Sequence, residues 1–92
     1  MKSIRIHPDL LKVIRAVPTA ERRVVGRAIA EAQRCLGQPH LHRGIGLRKL
    51  RAEWYEFRVG LKLRLLFENT TEALIFEILG DHDDVKNFLK NR

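Results

Sequence analysis

The residues best suited to chemistry lie in the stretch Tyr55–Phe67, YEFRVGLKLRLLF, where Arg58 and Arg64 flank a glycine. The run alternates like two strands folded back on one another. Facing residues of an antiparallel pair point to the same side of a sheet, so the register must match like with like. Pairing Val59 with Leu63 leaves Gly60-Leu61-Lys62 as a three-residue loop, a common hairpin length. The same register sets Phe57 against Leu65 and Tyr55 against Phe67, which makes one apolar face. The other face then pairs Arg58 with Arg64 and Glu56 with Leu66. A two-residue loop would place Arg58 against Leu63 and spoil both faces.

Two like charges set side by side cost on the order of 0.2–1 kcal/mol. A sheet carries that cost when Glu56, or Glu77 from the next strand, neutralises the pair. It also does so when the pair holds an anion such as a phosphate. A solvated charged face is the plainer outcome. Arg43, Arg48, Lys49 and Arg51 add cations just before the hairpin, and Lys62 adds one in its loop. Single-stranded RNA is held by such cations together with aromatic platforms. Trp54 shares the Arg58 face by alternation, either as such a platform or as a core residue beneath a helix.

The other chemistry-bearing residues point elsewhere. His40 and His42 lie one residue apart in a turn-rich stretch, GQPHLHRGIG, and His7 precedes a proline. No zinc or calcium pattern is present. Cys35 is the single cysteine, so no internal disulfide framework is expected, and it falls within a helical pattern.

These side chains must be positioned by the elements around them. KSIRI alternates and carries Ile4 and Ile6, which reads as a first strand stopped by Pro8. PDLLKVIRAV spaces Leu10, Leu11, Ile14 and Val17 as a helix that ends at Pro18. Thr19 is the expected N-cap of a second helix. Its buried stripe is Val24, Val25, Ala28, Ile29, Ala32 and Leu36, and Gly37 is its C-terminal glycine. GQPHLHRGIG is expected to be a loop. From Leu47 the period falls to two, and LRKLR, WYEFRV, LRLLFE and ALIFEIL read as four strands. Asp81 or Asp83 caps a last short helix with Val85, Phe88 and Leu89 on its apolar side. The order β-α-α-β-β-β-β-α is an α+β fold: two N-terminal helices on a twisted, mainly antiparallel sheet, then a short C-terminal helix.

Composition bounds the function. The 92 residues fit a single domain, with 45% hydrophobic and 32% charged residues. A formal charge of +7 biases partners towards polyanions. The N-terminal segment is broken by charges and does not read as a signal peptide, and no apolar run is long enough to span a membrane. A cytoplasmic, membrane-free setting is the expectation.

The stretch LRKLRAEWYEFRVGLKLRLLFE followed by ILGDHDDVKNFL resembles the RelE/ParE superfamily of type II toxin–antitoxin toxins, over nearly the whole chain. The resemblance implies a RelE-like fold and a toxin that cleaves mRNA on the ribosome without metal or cofactor. It also implies silencing by a cognate antitoxin, with which such toxins join operator DNA. Arg58 and Arg64 match basic hairpin positions that stabilise the scissile phosphate. His82 matches a histidine of the YafQ and HigB branches that serves in acid–base chemistry, or else it simply caps the last helix. Phe88 lies near the C-terminal aromatic of RelE, and Arg43, Arg48, Lys49, Arg51 and Lys62 are expected on the RNA. Glu56 stands where RelE has a lysine, as a base or as an ion-pair partner. The alternatives are a ParE-like toxin acting on DNA gyrase and an inert homologue that holds an antitoxin.

Overall fold

The computed structural model describes residues 2–92, apart from the side chains of Pro39, Arg43 and Ile45. The described chain runs β1 (Ser3–Ile6), α1 (Pro8–Ala16), α2 (Thr19–Cys35), α3 (Pro39–Ile45), β2 (Leu47–Arg51), β3 (Trp54–Val59), β4 (Leu63–Asn69), β5 (Ala73–Gly80) and α4 (His82–Lys90). The strands form one five-stranded sheet in the order β1-β5-β4-β3-β2. Only the β1–β5 pair is parallel, and the expected α+β architecture is the one observed.

The hairpin register follows from its side chains. Val59 pairs with Leu63, Phe57 with Leu65 and Tyr55 with Phe67, so Arg58 faces Arg64. The apolar face packs Phe57, Val59, Leu65, Phe67, Leu74 and Phe76 against the buried stripes of α1 and α2. Leu10 and Ile14 come from α1, and Val25, Ala28, Ile29 and Ala32 come from α2. Val24, expected in that stripe, sits at its edge and is exposed. Phe67 is fully buried, stacked on Tyr55 at 5.6 Å and against Phe76 at 4.8 Å between ring centres. Burying one such side chain is worth about 1.5–3 kcal/mol.

The opposite face carries a smaller cluster of Trp54, Leu66 and Val85, with Leu50, Ile78, Phe88 and Leu89 against it. Trp54 is therefore a core residue beneath α4, with the Phe88 ring edge-on at 5.6 Å, and it offers no stacking platform. A β-bulge makes this cluster possible. Leu66 pairs with Ile78 while Phe67 pairs with Phe76, so Glu77 is the extra residue. The bulge sends Phe76 to one core and Ile78 to the other.

Two local details differ from the sequence reading. Helix α2 begins at Thr19, but Pro18 holds the capping position and no side chain caps it. Arg22 instead reaches back and donates to the carbonyls of Arg15 and Val17, bridging the break between α1 and α2. The stretch expected as a loop holds α3, seven residues long. Pro39 starts it, where a missing N–H costs nothing, and Gly46 at φ +78° turns the chain out of it. Such a short helix leaves no periodic trace and forms by docking between α2 and β2. Gly37, at φ +93°, ends α2 as expected. Among the described residues, no helix is long and apolar enough to cross a membrane.

Candidate functional site

Helix α4 covers only part of the second sheet face, and the charged residues of the hairpin occupy the remainder. Glu56, on β3, is 3% exposed and is the one buried charged residue among those described. Its Oε2 accepts a hydrogen bond from Arg64 Nη1 at 2.7 Å and lies 3.4 Å from Arg48 Nη2. The opposition of Arg58 and Arg64 is thus relieved by Glu56. Glu77, at the bulge, has no ion-pair partner among the described residues. A buried pair of this kind is costly to break, because removing one partner leaves the other charge uncompensated.

The pairing is incomplete. Arg64 Nε is buried and has no hydrogen-bond partner, while Glu56 Oε1 takes no hydrogen bond from any described residue. Arg58 is exposed, and among the described residues its guanidinium makes no hydrogen bond or ion pair. Two arginines with the same strand position therefore end in different states. Arg64 is committed to Glu56, and Arg58 is available to an anion.

Two adjoining hollows meet at Glu56 and Arg48. One, of about 350 Å³, lies between the sheet and α4 and is lined by Leu50, His82, Val85 and Lys86 as well. The other, of about 590 Å³, lies towards α3 and is lined by His42, Gly46, Lys49 and Arg58 besides the shared pair.

His82 is brought to the first hollow by the start of α4. Asp81 is the N-cap, and its Oδ1 accepts from the Asp84 amide at 2.9 Å while Asp84 Oδ2 accepts from the Asp81 amide at 2.9 Å. This reciprocal capping box turns both carboxylates onto the helix backbone. The Asp84 amide is also the main reason the Asp81 carboxyl titrates below its ordinary range. The acidic run beside His82 thus has a structural use. Gly80 allows it: a Cβ there would stand 2.6 Å from the Asp84 side chain, so only glycine lets α4 turn directly off β5.

Of the residues expected at a site, Arg48, Lys49, Arg58 and His82 line the joined hollows, and Arg64 lies beneath Glu56. Arg51 also borders the first hollow, but its guanidinium donates to the carbonyls of Leu89 and Arg92 and ties down the end of α4. Phe88 packs on Trp54 and lies under the Arg92 guanidinium at 4.1 Å. Lys62 sits at the hairpin tip, beside the exposed Leu61 and away from both hollows. The side chain of Arg43 lies outside the described residues. His42 escaped the sequence reading as a site residue because the helix that presents it was not legible there.

No family model matches the sequence, and no curated protein does. Solved structures do. The isolated Escherichia coli RelE toxin superposes with a TM-score of 0.66 at 16% identity, covering 99% of this chain and 98% of that one. The chain has the RelE toxin fold. The archaeal RelE of the RelE–RelB complex from Pyrococcus horikoshii OT3 also gives a TM-score of 0.66 at 16% identity, over 87% of this chain and 93% of its own. YafQ from Escherichia coli BL21(DE3) gives 0.58 at 14% identity, over 92% and 98%. At such identities the likeness is one of backbone, and what the RelE-like fold does here depends on its own side chains.

Proposed function

We propose that this RelE-like chain is the toxin of a toxin–antitoxin pair and cleaves mRNA on the ribosome, in the cytoplasm, with no metal or cofactor. One observation carries the reading. The buried carboxylate of Glu56, anchored by Arg64, sits at the foot of a cleft that His82 also lines. That set suits cleavage of RNA by its own 2′-hydroxyl.

Glu56 Oε1 takes the proton of the 2′-hydroxyl, whose oxygen attacks the adjacent phosphorus. Arg64, with Arg58 and Arg48 beside it, stabilises the extra charge gathered on the phosphorane. The bond to the 5′-oxygen breaks as His82 donates a proton to it, which leaves a 2′,3′-cyclic phosphate and a free 5′-hydroxyl. Histidine suits this role because it exchanges protons near neutral pH, whereas arginine does not give one up.

The partner in this reading is a cognate antitoxin, as RelB is for RelE and DinJ for YafQ in their solved complexes. Complexes of the two chains on operator DNA are part of the same expectation.

Induction of the chain without an antitoxin tests the proposal. Growth should stop, and mapped mRNA ends should show cuts at fixed codon positions. Glu56→Gln and His82→Ala should each lower cutting by about 10²–10⁴-fold, and Arg64→Ala by about 10²–10³-fold. Intact messages in arrested cells would overturn the nuclease reading, and inhibition of gyrase supercoiling by the purified protein would replace it with the ParE-like one.

A second reading has its own observation. Glu56 neutralises Arg64 and Arg48 in the free protein, so the chain can be an inert homologue that only holds an antitoxin. Full growth under strong expression of the folded protein selects that reading.

A further inference from the structure

The tip of the β3–β4 hairpin carries a leucine where turns ordinarily place Gly, Asn, Asp, Ser or Pro. Leu61 is 96% exposed, so it adds almost nothing to the stability of the single chain. Val59 and Leu63 pair directly beneath it, and this last rung of the hairpin fixes where the tip stands. Val24, on α2, is a second large apolar residue left exposed, and it lines the same groove as Leu61. Large apolar side chains gathered in one exposed patch mark a surface that is covered by something.

The groove, of about 260 Å³, is floored by Val59, Leu63 and Leu79 at the edge of the sealed core. Its α2 wall bears Glu21 and Val24, and its hairpin wall bears Leu61 and Lys62. Glu21 and Lys62 are the charged residues of the lining, and neither has an ion-pair partner among the described residues. The chain as a whole carries a formal charge of +7, yet the charges lining this groove balance. An acidic partner would find its cations elsewhere on the surface. An acid on one wall and a base on the other make the groove complementary to itself.

We infer that two copies of this chain associate through this groove about a two-fold axis. Leu61 of each hairpin tip enters the groove of the other copy and packs against its Val24. Lys62 of each tip meets Glu21 of the other copy. Two-fold symmetry makes every such contact twice, so one small patch supplies two leucine anchors and two ion pairs. The groove belongs to the side of the sheet sealed by α1 and α2, whereas the Glu56 cleft opens on the other face. Both clefts of the pair therefore stay open, and the association does not depend on what they bind.

Analytical ultracentrifugation of the purified full chain tests this over concentrations from about 1 μM to about 1 mM. The mean mass should rise towards that of a dimer. Leu61→Ser, at a position exposed in the single chain, should fold normally by far-ultraviolet dichroism. It should weaken association by about 10²-fold or more, because each dimer loses two buried leucines. Glu21→Lys and Lys62→Glu should each weaken it by about tenfold, since each sets like charges together twice. Mixed in equal amounts, those two variants should associate as tightly as the parent, because every lysine then faces a glutamate again. No other arrangement of the patch predicts that recovery. A chain that stays monomeric throughout, or a dimer that Leu61→Ser leaves unchanged, overturns the inference. A mixture no tighter than its components overturns the two-fold arrangement. A free chain that is monomeric, but whose Leu61→Ser variant binds an antitoxin more weakly, assigns the groove to the antitoxin instead.

Discussion

The two faces of the sheet solve different problems. One is sealed by α1 and α2 over a continuous apolar layer in which Leu65, Phe67 and Phe76 are fully buried. The other is half covered by α4, whose small cluster around Trp54 and Leu66 stops short of Glu56, Arg58 and Arg64. Both faces come from the same strands, because alternation sends each successive residue to opposite sides. The difference lies in coverage. A domain this small can stabilise itself from one face and leave polar groups on the other, provided that each buried charge there has a partner.

Truncating the sealed face should therefore cost most. Phe67→Ala removes a fully buried ring stacked between Tyr55 and Phe76, at a cost of about 3–5 kcal/mol. Total stability of a domain is about 5–15 kcal/mol, so this variant should melt far below the parent or fail to fold. Val85→Ala, in the α4 cluster, removes two methyl groups and should cost about 1.6 kcal/mol at about 0.8 per buried carbon. Urea unfolding of both variants checks the ranking, and equal losses would show that the two faces support the fold alike.

A smaller effect separates α4 from the rest of the fold. Gly80→Ala forces a Cβ to within 2.6 Å of Asp84, the residue that closes the capping box. Relieving that contact should cost about 1–3 kcal/mol and shift the start of α4, and His82 with it. The single tryptophan reports the change locally, since Trp54 lies under α4. Trp54 fluorescence should alter in the folded variant while far-ultraviolet dichroism stays close to that of the parent.

Much of this was legible in the sequence, because alternation and like-with-like pairing decide a hairpin register without tertiary information. The positions of Arg58 and Arg64 and the apolar layer of Tyr55, Phe57 and Val59 follow from that rule alone. The partner of the arginines did not, since Glu56 and Glu77 both carried the required charge. The bulge decided between them by displacing Glu77, and bulges leave no mark in a pattern of period two. Helix α3 and its His42 were hidden for a similar reason: seven residues give under two full turns and no readable apolar stripe. Arg51 was legible as a cation but not as the group that ties down the end of α4, because its acceptors lie 38 and 41 residues away in the chain.

Acid should act on the two faces unequally and with the smallest effect. The amide of Asp84, ahead of other causes, holds the Asp81 carboxyl below its ordinary range in the folded chain. A carboxyl lowered in this way stabilises the fold above its unfolded pKa, and that contribution is lost as pH falls through the lowered, folded value. The cap on α4 is therefore constant across neutral pH and weakens only below about pH 4, where unfolded aspartates titrate. On the sealed face, the bond from Arg34 lowers Glu31 in the same way, but that pair lies on the exposed side of α2 and holds no helix end. An acid titration followed by Trp54 fluorescence should show α4 loosening before the dichroism of the whole chain changes. Asp81→Asn keeps an acceptor at the cap but cannot titrate there, so the part of the fluorescence step due to Asp81 should disappear. A step of unchanged size and midpoint in that variant would place the acid-sensitive contact elsewhere, with Asp83, Asp84 and His82 as the neighbouring groups to substitute next.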